Sequence, residues 1–224
     1  MTVHDVARAL PDIATLRNLC RSIAMAEAVL NPDGAREYCF LPSWSETEEL
    51  ASLRNGSGDE LDIVFAPTGA YIRGFDHESP LSPYGHGDVP APWPGVLDSI
   101  PEVFRRYVDE PAFTDEDGCP VVTVCLWRTT DATSWEAGSI TFPAGHPDPD
   151  GSVWLFELLM DPTPEAFQRF AEDYYETSVD IGPVRHIYAL RPLGRSHITA
   201  LNPSAPVETV LAEAKAMGYP LAAQ

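Results

Sequence analysis

Positive charge is what this sequence has least of. Lys215 is the only lysine, and thirteen arginines bring the basic total to 14 against 34 aspartates and glutamates, a formal net charge of -20 over 224 residues. A surface of that sign repels nucleic acid and anionic lipid, and it lacks the basic footprint by which phosphate backbones are held. Nucleic acid and membranes are therefore excluded as expected partners, and a basic protein or a cation fits.

Cysteine is nearly as scarce. Cys20, Cys39, Cys119 and Cys125 show no CxxC spacing, so neither a zinc site nor a disulfide framework is expected. Cys20 falls on an apolar helical face, while Cys39 and Cys125 lie in strand-like runs, which predicts buried, reduced thiols. Long hydrophobic runs are absent: the strongest, 153–160, is interrupted by Glu157 and too short to span a bilayer. The first ten residues carry neither the basic nor the apolar region of a signal peptide, so a cytoplasmic location is expected. Catalytic signatures are missing too. The glycines of 55–59 match neither GxGxxG nor GxxxxGK[ST], and there is no HExxH helix and no GxSxG elbow. No cofactor is expected.

What remains is globular: 44% hydrophobic and 10% aromatic residues, in a chain long enough to bury roughly 70–75% of its unfolded surface. One domain over 1–224 is expected. Apolar residues recur at helical spacing through 12–30 (Ile13, Leu16, Leu19, Cys20, Ile23, Ala26, Leu30), ended by Asn31-Pro32-Asp33-Gly34. Thr2 with Asp5 caps a shorter helix before Pro11. A strand is expected at 37–41. Ser45 with Glu48 reads as a capping box opening a helix that stops at Gly56. Runs 61–66 and 71–75 form a hairpin around Pro67-Thr68-Gly69, and 121–129 pairs with 139–142. Residues 79–95 hold five prolines and three glycines and form a loop; 96–108 gives short helices broken at Pro101. Residues 153–160 start a helix after Asp150-Gly151-Ser152, and Thr163-Pro164-Glu165 opens another. Residues 184–190 alternate as a half-buried strand carrying His186, and 207–217 is a last helix. Hairpins without regular βαβ alternation predict an α+β fold, a mainly antiparallel sheet packed by amphipathic helices. The expected core is Leu16, Ile23, Val64, Phe65, Val122, Val124, Leu126, Phe167, Phe170 and Tyr188.

Three groups of residues carry candidate chemistry. The loop from His146 places Asp148, Asp150, Gly151 and Glu157 at calcium-loop spacing. His146 stands where the first carboxylate belongs, however, and Pro147 and Pro149 stiffen the loop, so a capped helix start is expected there and metal binding only weakly. Asp76, His77, Glu78, His86 and Asp88, on and beyond a strand end, can hold a divalent metal or present His77 as a base oriented by Asp76. Finally, acids interleaved with aromatics can take arginine or lysine, the rings as anchors and the acids as steering charge. The best examples are Asp115, Glu116 and Asp117, and the helix bearing Tyr174 and Tyr175; Trp44 stands beside a third cluster.

Two explanations of the acidity stand side by side. Arginine-for-lysine usage with abundant Ala, Gly and Pro matches GC-rich bacterial genomes, and acidity favours solubility; alternatively the charge serves a basic partner. The leading expectation is a non-enzymatic binding protein of the immunity or inhibitor type that occludes a basic toxin or nuclease. The alternative is a small metal-dependent hydrolase built on residues 76–88.

Overall fold

Two apolar runs joined by Pro67 and Thr68 form the centre of a six-stranded sheet. In the computed structural model, which describes residues 1–223, β3 (Glu60–Ala66) and β4 (Gly69–Phe75) pair antiparallel, Ala66 opposite Gly69 and Glu60 opposite Phe75. Gly69 sits at φ +142°, where a Cβ would collide with the carbonyl oxygen of Arg128, so the turn needs glycine. β5 (Val124–Thr129) pairs with the other edge of β4, setting Ile72 opposite Leu126 and Tyr71 opposite Trp127. With β1 (Tyr38–Leu41), β2 (Glu49–Arg54) and β6 (Glu136–Ala137), the strands follow one another across the sheet in chain order. The fold is α+β, an antiparallel sheet of hairpins accompanied by helices.

The chain divides into two compact units, one of Met1–Ile13 and Ser52–Glu157, the other of Ala14–Ala51 and Leu158–Gln224. In the first, every residue of β4 is buried. Tyr71 packs on Phe104 and Tyr107 of the 3-10 segment Glu102–Tyr107, with ring centroids 6.3 and 5.3 Å away. On the neighbouring register position, Arg73 faces Asp62 across the ladder and stacks on Phe113 at 5.1 Å. Helix α1 (Val3–Ala9) lies by β5 and β6, and the indole of Trp135 donates to the Pro11 carbonyl at 2.7 Å.

The second unit holds α2 (Ile13–Leu30), whose stripe of Leu16, Leu19, Cys20 and Ile23 is buried as the spacing predicts. Helices α5 (Pro164–Tyr174), α6 (Ile181–Tyr188), α7 (Arg195–Leu201) and α8 (Val207–Ala216) pack each on the next. Thr163 caps α5 through the Ala166 N–H at 3.2 Å, and Asp180 caps α6 through Gly182 at 2.8 Å. The amide of Asn202 donates to the last carbonyls of α2, Val29 and Leu30, both at 3.0 Å. No helix among the described residues is long and apolar enough to cross a membrane.

Several expectations need correction. Residues 49–54 form β2, not a helix: Ser45 Oγ does donate to Glu48 at 2.8 Å, but the bond closes a turn. Arg54 then reaches across to Asp62 on β3 at 2.9 Å, a cross-strand ion pair that suits a strand. Residues 184–190 fall mostly in α6, because Pro183, Val184 and Ile187 share a buried helical face behind the Asp180 cap. The partner of β5 is the two-residue β6, so 139–142 forms no strand. The run 153–160 is two short helical turns, α3 (Ser152–Leu155) and α4 (Glu157–Met160), interrupted at Phe156. Cys39 is exposed, whereas Cys20 and Cys125 are buried. Phe170 and Tyr188 are only half-buried, while the other eight expected core residues are enclosed.

Candidate functional site

The β3–β4 register does more than build the sheet. Because Glu60 pairs with Phe75, the residues just beyond the open end of the hairpin, Asp59 and Asp76, are brought face to face. Two carboxylates opposite each other repel, and His77 answers that repulsion. Its backbone N–H donates to Asp59 Oδ1 at 3.0 Å and its Nδ1 lies 2.7 Å from the same oxygen, while the Asn55 amide donates to Oδ2 at 2.7 Å. Burial pushes Asp59 up, but these donors outweigh it and hold its pKa below the usual value. The Asp59 carboxylate in turn raises His77, whose side chain is 43% exposed. Asp76 moves the other way: burial first, then the charges of Asp59 and Asp148, push it up.

Ligand atoms of Asp59, Asp76 and His77 all lie within 4.8 Å of one another, and no other such group occurs among the described residues. A short bridge of hydrogen bonds fixes the floor: the Asp76 N–H donates to Thr123 Oγ1 at 3.2 Å, and that hydroxyl donates to the Asp150 carbonyl at 2.9 Å. Gly151, at φ +80°, passes so close that a Cβ would collide with the Asp76 side chain. The arrangement can hold a proton between Asp59 and His77, or a divalent cation.

The remaining loop residues stand elsewhere. Glu78 is exposed, its N–H closing a turn on Asp76 Oδ1 at 2.8 Å. His86 Nε2 contacts the Pro80 carbonyl and its ring meets Trp93 edge-on at 4.5 Å, while Asp88 is exposed on the tip. Residues 79–95 are ordered by their own backbone, with Ala91 donating to Pro83 at 3.2 Å and Gly85 to Ser82 at 3.0 Å. Asp148, Asp150 and Glu157 do not converge. Asp148 Oδ2 accepts from Val153, Asp150 accepts from Ser152 and from Val3, and Glu157 is exposed at the start of α4. Sequence reasoning missed Asp59, because the turn expected over 67–69 does not fix the register; the observed two-residue turn at 67–68 sets residues 59 and 76 opposite each other.

The acidic clusters separate by what their side chains already do. Asp115 is engaged: its Oδ1 accepts from Asp117 and Cys119 at 3.0 and 2.8 Å, and its Oδ2 accepts from the Tyr84 hydroxyl at 3.2 Å. Glu116 and Asp117 project from that turn into solvent, and none of the three acids has an ion-pair partner among the described residues. Tyr84 is 50% exposed and packs edge-on against Phe75 at 6.1 Å. Burial, then Asp115, pushes its pKa up to about 12, so the hydroxyl remains a donor. Sequence reasoning passed over this ring; its isolation in a proline-rich loop was the available signal.

In the second unit Tyr175 is turned inward, its hydroxyl donating to Glu27 at 2.8 Å. Tyr174 is 41% exposed and stacks on Phe170 at 5.6 Å, while Trp44 is half-buried. Comparison with protein-family models, with characterised proteins and with solved structures finds no match.

Proposed function

We propose that the protein is an acidic binding module that takes a basic protein on the face formed by Tyr84 and the turn Asp115, Glu116 and Asp117. The observation that carries this reading is the exposed Tyr84 ring, oriented by its hydrogen bond to Asp115, beside two solvent-facing carboxylates with no ion-pair partner. A fixed aromatic face next to unpaired acids matches an arginine or lysine side chain: the ring receives the cation and the apolar stem, and the acids receive its N–H donors. The net charge of -20 adds long-range attraction, which acts on encounter rate more than on lifetime. An inhibitor or immunity-type protein that covers a basic toxin or nuclease is the biological form that fits. The test is association kinetics with an arginine-rich peptide. Neutralising Glu116 and Asp117 slows association and flattens its salt dependence, whereas Tyr84→Ala mainly speeds dissociation. Unchanged kinetics in both variants would refute the assignment of this face.

A second reading is favoured by the convergence of Asp59, Asp76 and His77 within 4.8 Å: a divalent-cation site serving a small metal-dependent hydrolase. Titration with Mn²⁺ and Zn²⁺ tests it. Saturable binding lost in Asp76→Asn, together with metal-dependent hydrolysis of a phosphate or carboxylate ester, supports this reading. Absence of both overturns it.

A further inference from the structure

A basic island interrupts this acidic chain. Between Ile181 and Val207 there are three arginines and two histidines and not one aspartate or glutamate. The island folds into α6, the turn after it and α7, and four of its five basic residues line one pocket of about 430 Å³: Arg185, His186, Arg191 and His197, with Gly182 and Ala200 among the rest of the wall. We propose that this pocket binds the phosphate group of a small soluble phosphorylated ligand.

Each donor can be accounted for. Arg191 has no ion-pair or side-chain hydrogen-bond partner among the described residues and is exposed, so its guanidinium fork is free for an oxyanion. Two acids stand at this wall: Glu165 of α5 holds Arg185 Nε at 2.8 Å, and Asp180 accepts the Gly182 N–H at 2.8 Å, so Arg185 is already paired and Arg191 is the guanidinium left for a ligand. The fifth basic residue, Arg195, is turned to Glu208 of α8 and lies outside the pocket.

The imidazoles are cofacial, with centroids 3.7 Å apart and planes 19° from parallel. His197 Nδ1 accepts the Gly194 N–H at 3.1 Å, so in the neutral ring the hydrogen sits on Nε2 as a donor. His186 Nε2 lies 3.0 Å from the Pro192 carbonyl and donates to it. Burial, then the neighbouring His186, pushes His197 down. A phosphate dianion beside the His197 ring offsets both effects. Donors arriving from a guanidinium fork and a second helix suit a tetrahedral oxyanion better than a planar carboxylate. The volume leaves room for a small organic group beyond the phosphate.

The experiment is calorimetric titration with inorganic phosphate, glycerol 3-phosphate and acetate against a chloride background of matched ionic strength. Imidazole ¹⁵N spectra of the unmodified protein are recorded in parallel. Saturable binding of glycerol 3-phosphate is expected, with inorganic phosphate equal or weaker and acetate weakest. The His186 and His197 signals should move along the same isotherm while His77 and His146 stay still. Arg191→Gln should weaken binding at least tenfold, and Arg195→Gln, the same change of charge outside the pocket, less than about twofold. Acetate binding as tightly as the phosphates would overturn the assignment, and so would equal losses in the two arginine variants. The spectra need no substitution: immobile His186 and His197 signals at saturating phosphate would also refute the proposal.

Discussion

Replacing Asp62 by leucine should destabilise the sheet-bearing unit severely. Asp62 is fully buried and Arg73, opposite it, is 2% exposed. The guanidinium is enclosed on all sides: Nε donates to Asp62 Oδ2 at 2.9 Å, Nη2 to Asp62 and Glu60, Nη1 to the Val121 carbonyl at 2.6 Å, and Phe113 covers its face. Removing Asp62 takes the fully buried carboxylate away from a guanidinium that is itself 2% exposed, and breaking a buried pair in this way costs about 3–5 kcal/mol. For a chain of this size that is a fall in Tm of roughly 6–20 °C. Thermal or urea unfolding followed by tryptophan fluorescence reads it, since Trp127 stands on β5 beside β4. The double replacement Asp62→Leu with Arg73→Leu should recover much of the loss, because both charges leave together and Glu60 keeps Arg54 at 3.6 Å. A single-variant cost under about 1 kcal/mol, or a double variant no better than the single, would show that the Asp62–Arg73 pair is not the buried, mutually dependent pair described.

Three further outcomes follow from the same structure. Glu37 is 4% exposed with Oε2 unpartnered; burial, then Glu27, raises its pKa from 4.5 to about 7. The native state thus holds a proton that the unfolded chain releases above 4.5, so stability is lost as pH rises from there toward about 7, by roughly 3 kcal/mol at most; denaturant titrations at pH 5 and 8 should show this slope flattened in Glu37→Gln, and an unchanged slope contradicts it. His77 should titrate above 6.5 in proton NMR and return toward that value in Asp59→Asn, and a titration unmoved by the substitution would deny the Asp59 contact its role. Leu126, fully buried opposite Ile72, should cost about 2–5 kcal/mol when cut to alanine, and a change within about 0.5 kcal/mol would contradict its enclosure.

The hairpin was legible because two apolar, strand-like runs, 61–66 and 71–75, flank the turn residues Pro67-Thr68-Gly69. Helices with an apolar stripe and a clear boundary signal were legible for the same reason: α2 is ended by Asn31-Pro32-Asp33-Gly34 and α5 is opened by the Thr163 cap. The errors fell where one local signal served another purpose. Ser45 and Glu48 make the same hydrogen bond in a turn as in a capping box, and only the cross-strand pairing of Arg54 with Asp62 decides for a strand. The period-2 pattern of Val184, His186, Tyr188 and Leu190 is real, but Asp180 and the Val184–Ile187 face follow helical geometry. At the candidate sites, Asp76 and His77 were identified from their place at a strand end. Asp59 and Tyr84 were not, because their partners lie 18 and 31 residues away, at His77 and Asp115. Contacts of that range are set by register and loop closure, which local pattern does not encode.

The proposed face around Tyr84 and residues 115–117 should bind basic protein specifically rather than by bulk charge. Two triple variants of equal net charge separate these cases: Asp115→Asn with Glu116→Gln and Asp117→Asn, against Asp33→Asn with Asp98→Asn and Glu102→Gln at exposed positions elsewhere. Affinity for an arginine-rich peptide is measured for both near physiological ionic strength, where charges beyond about 8 Å are screened. A loss of at least tenfold is expected in the first variant and less than about twofold in the second; equal losses would show that the charge acts only in bulk and that no specific face exists there.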